Sequence, residues 1–303
     1  MAVTTILSTT NSITAQSIKL LKATTLPYYP SASGAEWYGG QLYVMGDDAP
    51  NLLLLSKKYN KPDSILVFPR QEKRIHYTVK PDIEAAVMVR QHGQNYLLLT
   101  PSFSAPHRNK MVVVPLNGTN KAQVLTSAAP AVNGLGEVNI EGAAFVDETL
   151  VFSNRGNFTH PQNHLLLARF DTAKGIVDWQ QPMPFTLPKT TNFTGVSGLC
   201  YIAEKDLLLF TASTEMTTSA NADGAIGDSY IGMAKGFKQQ LKTGKIEADT
   251  LLLLTPVLRS TIPQKIESVT VEKSKKARLT IHLVADNDIG ESSLFRLRLK
   301  LPR

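Results

Sequence analysis

Five short phrases each place an oxygen-bearing side chain at their second position: Ser33 in ASGAEW, Glu84 in IEAAVM, Glu141 in IEGAAF, Ser197 in VSGLCY and Glu267 in IESVTV. If the phrases are structurally equivalent, three carboxylates and two hydroxyls converge. Carboxylates gathered away from bulk water cannot all stay ionised unless a cation compensates them; otherwise the proton affinity of one or more rises. An all-oxygen set suits a hard divalent ion. Calcium takes about six to eight oxygen ligands in a tolerant geometry, whereas zinc prefers His and Cys. The five residues are therefore a candidate calcium site, the alternative being a water-filled channel lined by hydrogen-bonded, metal-free Glu.

Further chemistry-bearing residues follow the phrases at similar offsets: Asp47 and Asp48; His107 and Arg108; Asn154, Arg155 and His160; Glu215, Asp223 and Asp228; Asp286, Asn287 and Asp288. Next to a bound cation, an acid that orients water and an Arg or His that balances charge make a hydrolytic site. Polar loops are also where turn formers and charges collect in any protein.

The elements that must position these residues are strands. Short runs of Leu, Val, Ile and Tyr alternate with Gly, Pro, Asn and Asp clusters throughout, and helical periodicity is nearly absent. The second-position residues are 51, 57, 56 and 70 residues apart, the spacing of four-stranded propeller blades. Each phrase leads into a second strand (QLYVMGDD, NYLLLTPS, TLVFSNRG, DLLLFTAS, RLTIHLVADND), a polar loop and a third strand (NLLLLSK, KMVVVPL, HLLLARF, SYIGMAK, SLFRLRL). Fourth strands are expected at Arg74 to Val79, Ala122 to Thr126, Gly175 to Gln180 and Thr250 to Thr255. The fifth blade runs out of chain at Arg303, so a strand around Thr14 to Thr24 is expected to complete it and close the ring. The expectation is one all-β domain over residues 1–303: a five-bladed β-propeller of four-stranded antiparallel blades, with the five phrases as innermost strands facing a central tunnel.

Composition narrows the field. With 303 residues and 43% hydrophobic content the chain can bury a large core. No apolar run approaches the roughly 18 residues of a membrane-spanning helix, and no signal sequence is read at the start, so a soluble, cytoplasmic protein is the default expectation. The single cysteine, Cys200, excludes a disulfide framework and reads as a small core residue. The net charge of +7 is scattered over strand faces such as FRLRLKLPR without an aromatic recognition motif, which argues against nucleic acid and leaves an anionic small molecule as the expected partner. GLGEVNIEG lacks the third glycine of a dinucleotide loop, and GVSGL is not a nucleophile elbow.

The ordered set Ser33, Glu84, Glu141, Ser197 and Glu267, together with GGQLYVMGDDAPNLLLL, resembles the soluble calcium-activated nucleotidase (apyrase) family, five-bladed propellers with a tunnel calcium that hydrolyse nucleoside di- and triphosphates. IEGAAF and DNDIGESSLFRL are also similar to the phytase-like, esterase-like propeller group. The resemblance implies that the five residues are calcium ligands and that Asp47 and Asp48 are the acidic pair near the reacting phosphates. The nucleotidase pair is followed by an Arg, whereas Ala49, Pro50 and Asn51 follow here; Arg108 or Arg155 would have to take its place. Two readings stand: a calcium-dependent hydrolase of phosphoanhydrides or phosphate esters, and a non-enzymatic binding propeller with a structural tunnel metal.

Overall fold

A computed structural model describes residues 18–60, 63–69, 72–118, 121–130, 133–220, 222, 224–258, 260, 262–287 and 290–301. The strands are β1 (Ile18–Leu26); β2 to β5 (Ala32–Tyr38, Gln41–Gly46, Asn51–Ser56, Asp63–Leu66); and β6 to β9 (Ile83–Gln91, Gln94–Pro101, Lys110–Pro115, Gln123–Thr126). They continue with β10 to β14 (Ile140–Val146, Thr149–Asn154, Asn163–Asp171, Gly175–Val177, Met183–Thr186) and β15 to β19 (Gly195–Ile202, Leu207–Glu215, Ile226–Lys235, Ile246–Glu247, Thr250–Leu253). The last are β20 to β22 (Lys265–Lys275, Arg278–Asp286, Ser292–Lys300). They form the five expected blades, with the inner strands β2, β6, β10, β15 and β20 each opening an antiparallel blade. Among the described residues, no helix is long and apolar enough to cross a membrane.

The fifth blade is completed from the other end of the chain: β1 lies antiparallel to β22, from Ile18 opposite Leu299 to Leu26 opposite Ser292. The sheet order β1-β22-β21-β20 closes the ring as expected. Residues 14–17 of the expected closing strand lie outside the described residues. The core is divided into five clusters, one between each pair of neighbouring blades. A middle strand is therefore packed on both faces, which is why LYVM, YLLL, LVF and LLLF are continuous apolar runs instead of alternating ones. Cys200 packs, partly buried, against the cluster between blades 4 and 5.

Two outer strands differ from expectation. In blade 1 the fourth strand is β5, the antiparallel partner of β4, and not Arg74 to Val79. The alternation in RIHYTV imitates a strand, but with the edge of β4 already occupied the segment forms turns. Ile75 drops into the core between blades 1 and 2, and its N–H donates to the Asp48 carbonyl at 2.8 Å. In blade 3 the segment from Gly175 supplies only the short β13, a hairpin on the far end of β12, and β14 is the fourth strand. The expected strands near Ala122 and Thr250 are β9 and β19.

Every inner strand carries a bulge at the same place. The register slips between Ala32 and Gly34, Ile83 and Ala85, Ile140 and Gly142, Val196 and Leu199, and Ile266 and Ser268. The extra residue in four of the five is Ser33, Glu84, Glu141 or Glu267, and in the fifth the slip spans Ser197 and Gly198. A bulge re-aims a side chain out of the pleat. The residue after it must be small because the inner strands crowd at the axis. A Cβ on Gly142 would stand 2.1 Å from the Ser197 carbonyl oxygen, and one on Gly198 would stand 2.6 Å from Ser268 Cα. The repeated phrase is thus the signature of a bulge beside a close inter-blade approach.

Candidate functional site

The bulges deliver their side chains to one mouth of the tunnel, into a polar well of about 120 Å³. Ser33, Glu84, Glu141 and Glu267 line it. Ser197 does not: its hydroxyl is buried, donates to the Ile266 carbonyl at 2.6 Å and contacts the Thr211 hydroxyl at 3.0 Å. Ser33 makes the equivalent stitch to the Ile83 carbonyl. The two serines therefore fasten their blades to the next one, and the three glutamates face the well.

Of the acidic pair, Asp47 enters the well and Asp48 turns away from it. Asp48 is 4% exposed and accepts a hydrogen bond at 2.6 Å from Arg74 Nε, so a guanidinium does stand beside the pair, reached from a loop 26 residues further along. Arg108, Arg155, Glu215 and Asp286 also line the well. His107, His160 and Asp228 do not, and Asp223 and Asp288 lie outside the described residues.

Four residues central to the well are absent from the sequence-based set: Lys80, Asp82, Asn139 and Lys265. Asp82, Asn139 and Lys265 each precede a bulged Glu by two residues. That repeated offset is the signal that could have found them. Lys80 pairs with Asp47 and lies 2.7 Å from Asp82 Oδ1, whose other oxygen is 2.9 Å from Arg108 Nη1. Across the well, Arg155 Nη1 is 2.8 Å from Glu215 Oε2 and 3.5 Å from Glu141 Oε1. Lys265 Nζ is 3.3 Å from the same Glu215 oxygen and 3.1 Å from Glu267 Oε1. Asn139 donates to Glu141 Oε1 at 2.8 Å. Much of the compensation expected from a metal thus comes from the protein's own ammonium and guanidinium groups.

It is incomplete. Among the described residues Glu84 has no ion-pair or hydrogen-bond partner within these distances. Burial, followed by the charges of Asp82, Glu141 and Asp47, raises its proton affinity well above that of a free carboxyl. Burial pushes Asp47 up to about 7 against the pull of Lys80. Glu267 is pushed up to about 8, again by burial, with Lys265 opposing and Glu141 adding to the rise. Glu215 goes the other way: although burial works against its charge, Lys265 and Arg155 hold it below the usual carboxylate range. Asp47, Asp82 and Glu84 present oxygens all within 4.8 Å of one another, and Asp47 Oδ1 is buried without a hydrogen-bond partner. Three clustered carboxylates with an orphaned oxygen fit a hard cation. Glu267 Oε2 is likewise buried without a hydrogen-bond partner, and Arg155 and Lys265 flank that side as Lys80 and Arg108 flank the trio; the trio differs in bringing three acids together.

The fold is shared with a glutaminyl cyclase from Myxococcus xanthus, 12% identical, with 95% of this chain and 98% of that one covered and a TM-score of 0.53. Less similar structures include a PQQ-bound aldose sugar dehydrogenase from Streptomyces coelicolor (12% identity, 94% and 99% covered, TM-score 0.46). Another is an α-L-arabinanase mutant from Cellvibrio cellulosa (13% identity, 87% and 91% covered, TM-score 0.48). No curated protein matches the chain significantly in sequence. The profile of a family of unknown function, DUF6929, matches residues 28–299, and the chain belongs to that family.

Proposed function

We propose that the protein is a cation-assisted hydrolase of a small anionic substrate, a phosphoanhydride or phosphate ester. The observation that carries this reading is the trio Asp47, Asp82 and Glu84, whose oxygens lie within 4.8 Å of one another while Glu84, among the described residues, has no hydrogen-bond or ion-pair partner. These three would hold a calcium ion, with the Ser33 hydroxyl in the same well. Such an ion, when bound, polarises a phosphoryl oxygen and lowers the pKa of a bound water. Arg108 and Arg155 line the same well, where they would balance the charge of the substrate.

The test is phosphate release from nucleoside di- and triphosphates and simple phosphate esters, with calcium or with chelator. The expected result is calcium-dependent release that is lost in Glu84→Gln. Release that is indifferent to chelator, or equal in Glu84→Gln, overturns the proposal. One observation favours the alternative of a non-enzymatic binding propeller: Lys80, Arg108, Arg155 and Lys265 are each already paired with a buried carboxylate. A calcium-induced rise in melting temperature with no phosphate released from any of these compounds selects that reading.

A further inference from the structure

The tunnel has a second mouth, at the opposite ends of the inner strands, and its chemistry is different. Met88 of β6, Phe145 of β10, Leu199 and Tyr201 of β15 and Val271 of β20 line a cavity of about 420 Å³ that reaches Glu36 of β2 and is also lined by Glu204 and Ser274. Glu36 Oε1 accepts hydrogen bonds from the Trp37 N–H at 2.9 Å and the Thr270 hydroxyl at 2.8 Å, and Oε2 accepts one from the Met88 N–H at 3.1 Å. Three donors aimed at two oxygens suit a carboxylate, which only accepts. A neutral carboxyl, which must itself donate, is served less well.

What Glu36 lacks is a counter-ion. Among the described residues no Lys, Arg or His pairs with it, whereas Asp47, Asp82, Glu141, Glu215 and Glu267 at the first mouth each have a Lys or Arg partner. Burial raises its proton affinity against the pull of Thr270, Met88 and Trp37, as expected of a desolvated charge with nothing opposite it. Yet the carboxylate borders the cavity instead of being sealed in packing. An uncompensated carboxylate below an apolar, partly aromatic wall favours a cation whose body is itself apolar: the ammonium meets the charge, the aromatic rings add cation–π attraction, and the hydrocarbon displaces water from the wall. A hydrated inorganic ion gains little from that wall.

We propose that this second mouth is a binding site for a small organic ammonium ion, an amine carrying an apolar group, with Glu36 as its counter-ion. The inference is independent of the hydrolytic reading of the first mouth. The test is calorimetric titration of the full chain with benzylammonium, its neutral isostere benzyl alcohol, and potassium chloride. Benzylammonium is expected to bind saturably, and benzyl alcohol at least ~10-fold more weakly. Glu36→Gln should lose at least ~10-fold in benzylammonium affinity. Phe145→Ala, which leaves the carboxylate and its inter-blade hydrogen bonds in place, should lose about threefold. Potassium chloride should give no saturable heat. Absence of saturable benzylammonium binding, equal affinity for the alcohol, or saturable binding of potassium overturns the proposal. So does unchanged affinity in a folded Glu36→Gln protein or in Phe145→Ala, the latter keeping the proposal falsifiable if Glu36→Gln does not fold.

Discussion

Lys265 Nζ lies 3.1 Å from Glu267 Oε1, two residues along the same inner strand, where Glu267 is itself the bulged residue. The same ammonium serves Glu215 of the neighbouring blade at 3.3 Å. Replacing Lys265 by Met removes a buried positive charge from between two buried acids. Breaking a buried pair from one side costs about 3 kcal/mol or more, because the remaining charge is left uncompensated. Denaturant unfolding of Lys265→Met should show a loss of that order. Adding Glu267→Gln should recover part of it, a coupling that a surface pair would not display.

The two acids after β3 are expected to behave differently. Asp47 shares the well with Asp82 and Glu84, and Asp48 is committed to Arg74. Asp47→Asn should abolish the calcium-induced rise in melting temperature. Asp48→Asn should keep it, with a stability loss of about 1 kcal/mol for the weakened hydrogen bond to a half-exposed Arg. Differential scanning fluorimetry with calcium and chelator reads both. A calcium shift retained in Asp47→Asn and lost in Asp48→Asn would reverse the assignment.

The propeller and its inner ring were legible because one physical constraint writes the same phrase five times: a bulged polar residue followed by Gly34, Ala85, Gly142, Gly198 or Ser268, small enough to pass the neighbouring inner strand. The partners of the ring were less legible. Asp82, Asn139 and Lys265 repeat in position but not in type, since one blade contributes an acid, another an amide and another an amine. Arg74 was hidden more deeply. It sits in a segment whose alternation reads as a strand, and only the hairpin β4–β5 frees that segment to carry a guanidinium to Asp48. The distinction between glutamates that face the well and serines that stitch blades together depends on where each hydroxyl finds a carbonyl, which spacing does not encode.

Ring closure by β1 joins the ends of the chain. Leu26 is buried in the cluster between blades 5 and 1, together with Val284, Leu294, Leu42 and Val44. Deleting residues 1–26 exposes the length of β22 as an open edge and opens that cluster, so insoluble or partly unfolded protein is expected. A truncated chain that stays soluble and melts with the full-length protein would show that the closing strand is dispensable.

Acid should weaken the same junction through His282. This ring is fully buried, stacks on Trp37 at 4.9 Å between centroids and shares a hydrogen bond with the Tyr59 hydroxyl through Nδ1 at 2.7 Å. Burial, opposed by the nearby Glu272, lowers its pKa to about 4, so the folded protein holds it neutral where the unfolded chain, near 6.5, takes up a proton. The unfolded state then binds more protons between pH 4 and 6.5. Stability from this group is complete above about 6.5 and is lost as the pH falls toward 4, by about 3 kcal/mol over the interval. Chemical denaturation of the protein and of His282→Gln at pH 7 and pH 5 should show a smaller acid-induced loss in the variant; equal losses would remove His282 as the cause.

Gly142 tests the bulge itself. It follows Glu141, and a Cβ at this position would meet the Ser197 carbonyl at 2.1 Å and Leu199 N at 2.9 Å, backbone atoms of the next inner strand that cannot swing aside. Gly142→Ala must therefore push blades 3 and 4 apart at the axis, at a cost of about 2 kcal/mol or more. Gly227→Ala is the control: its Cβ would meet the Thr214 side chain at 3.2 Å, and a loss under about 1 kcal/mol is expected. Blade spacing at the axis also sets where Glu141 stands relative to Arg155 and Asn139, so both contacts should loosen in Gly142→Ala and persist in Gly227→Ala. Equal stability of the two variants would mean that the small residue after each bulge is not required by the approach of the blades.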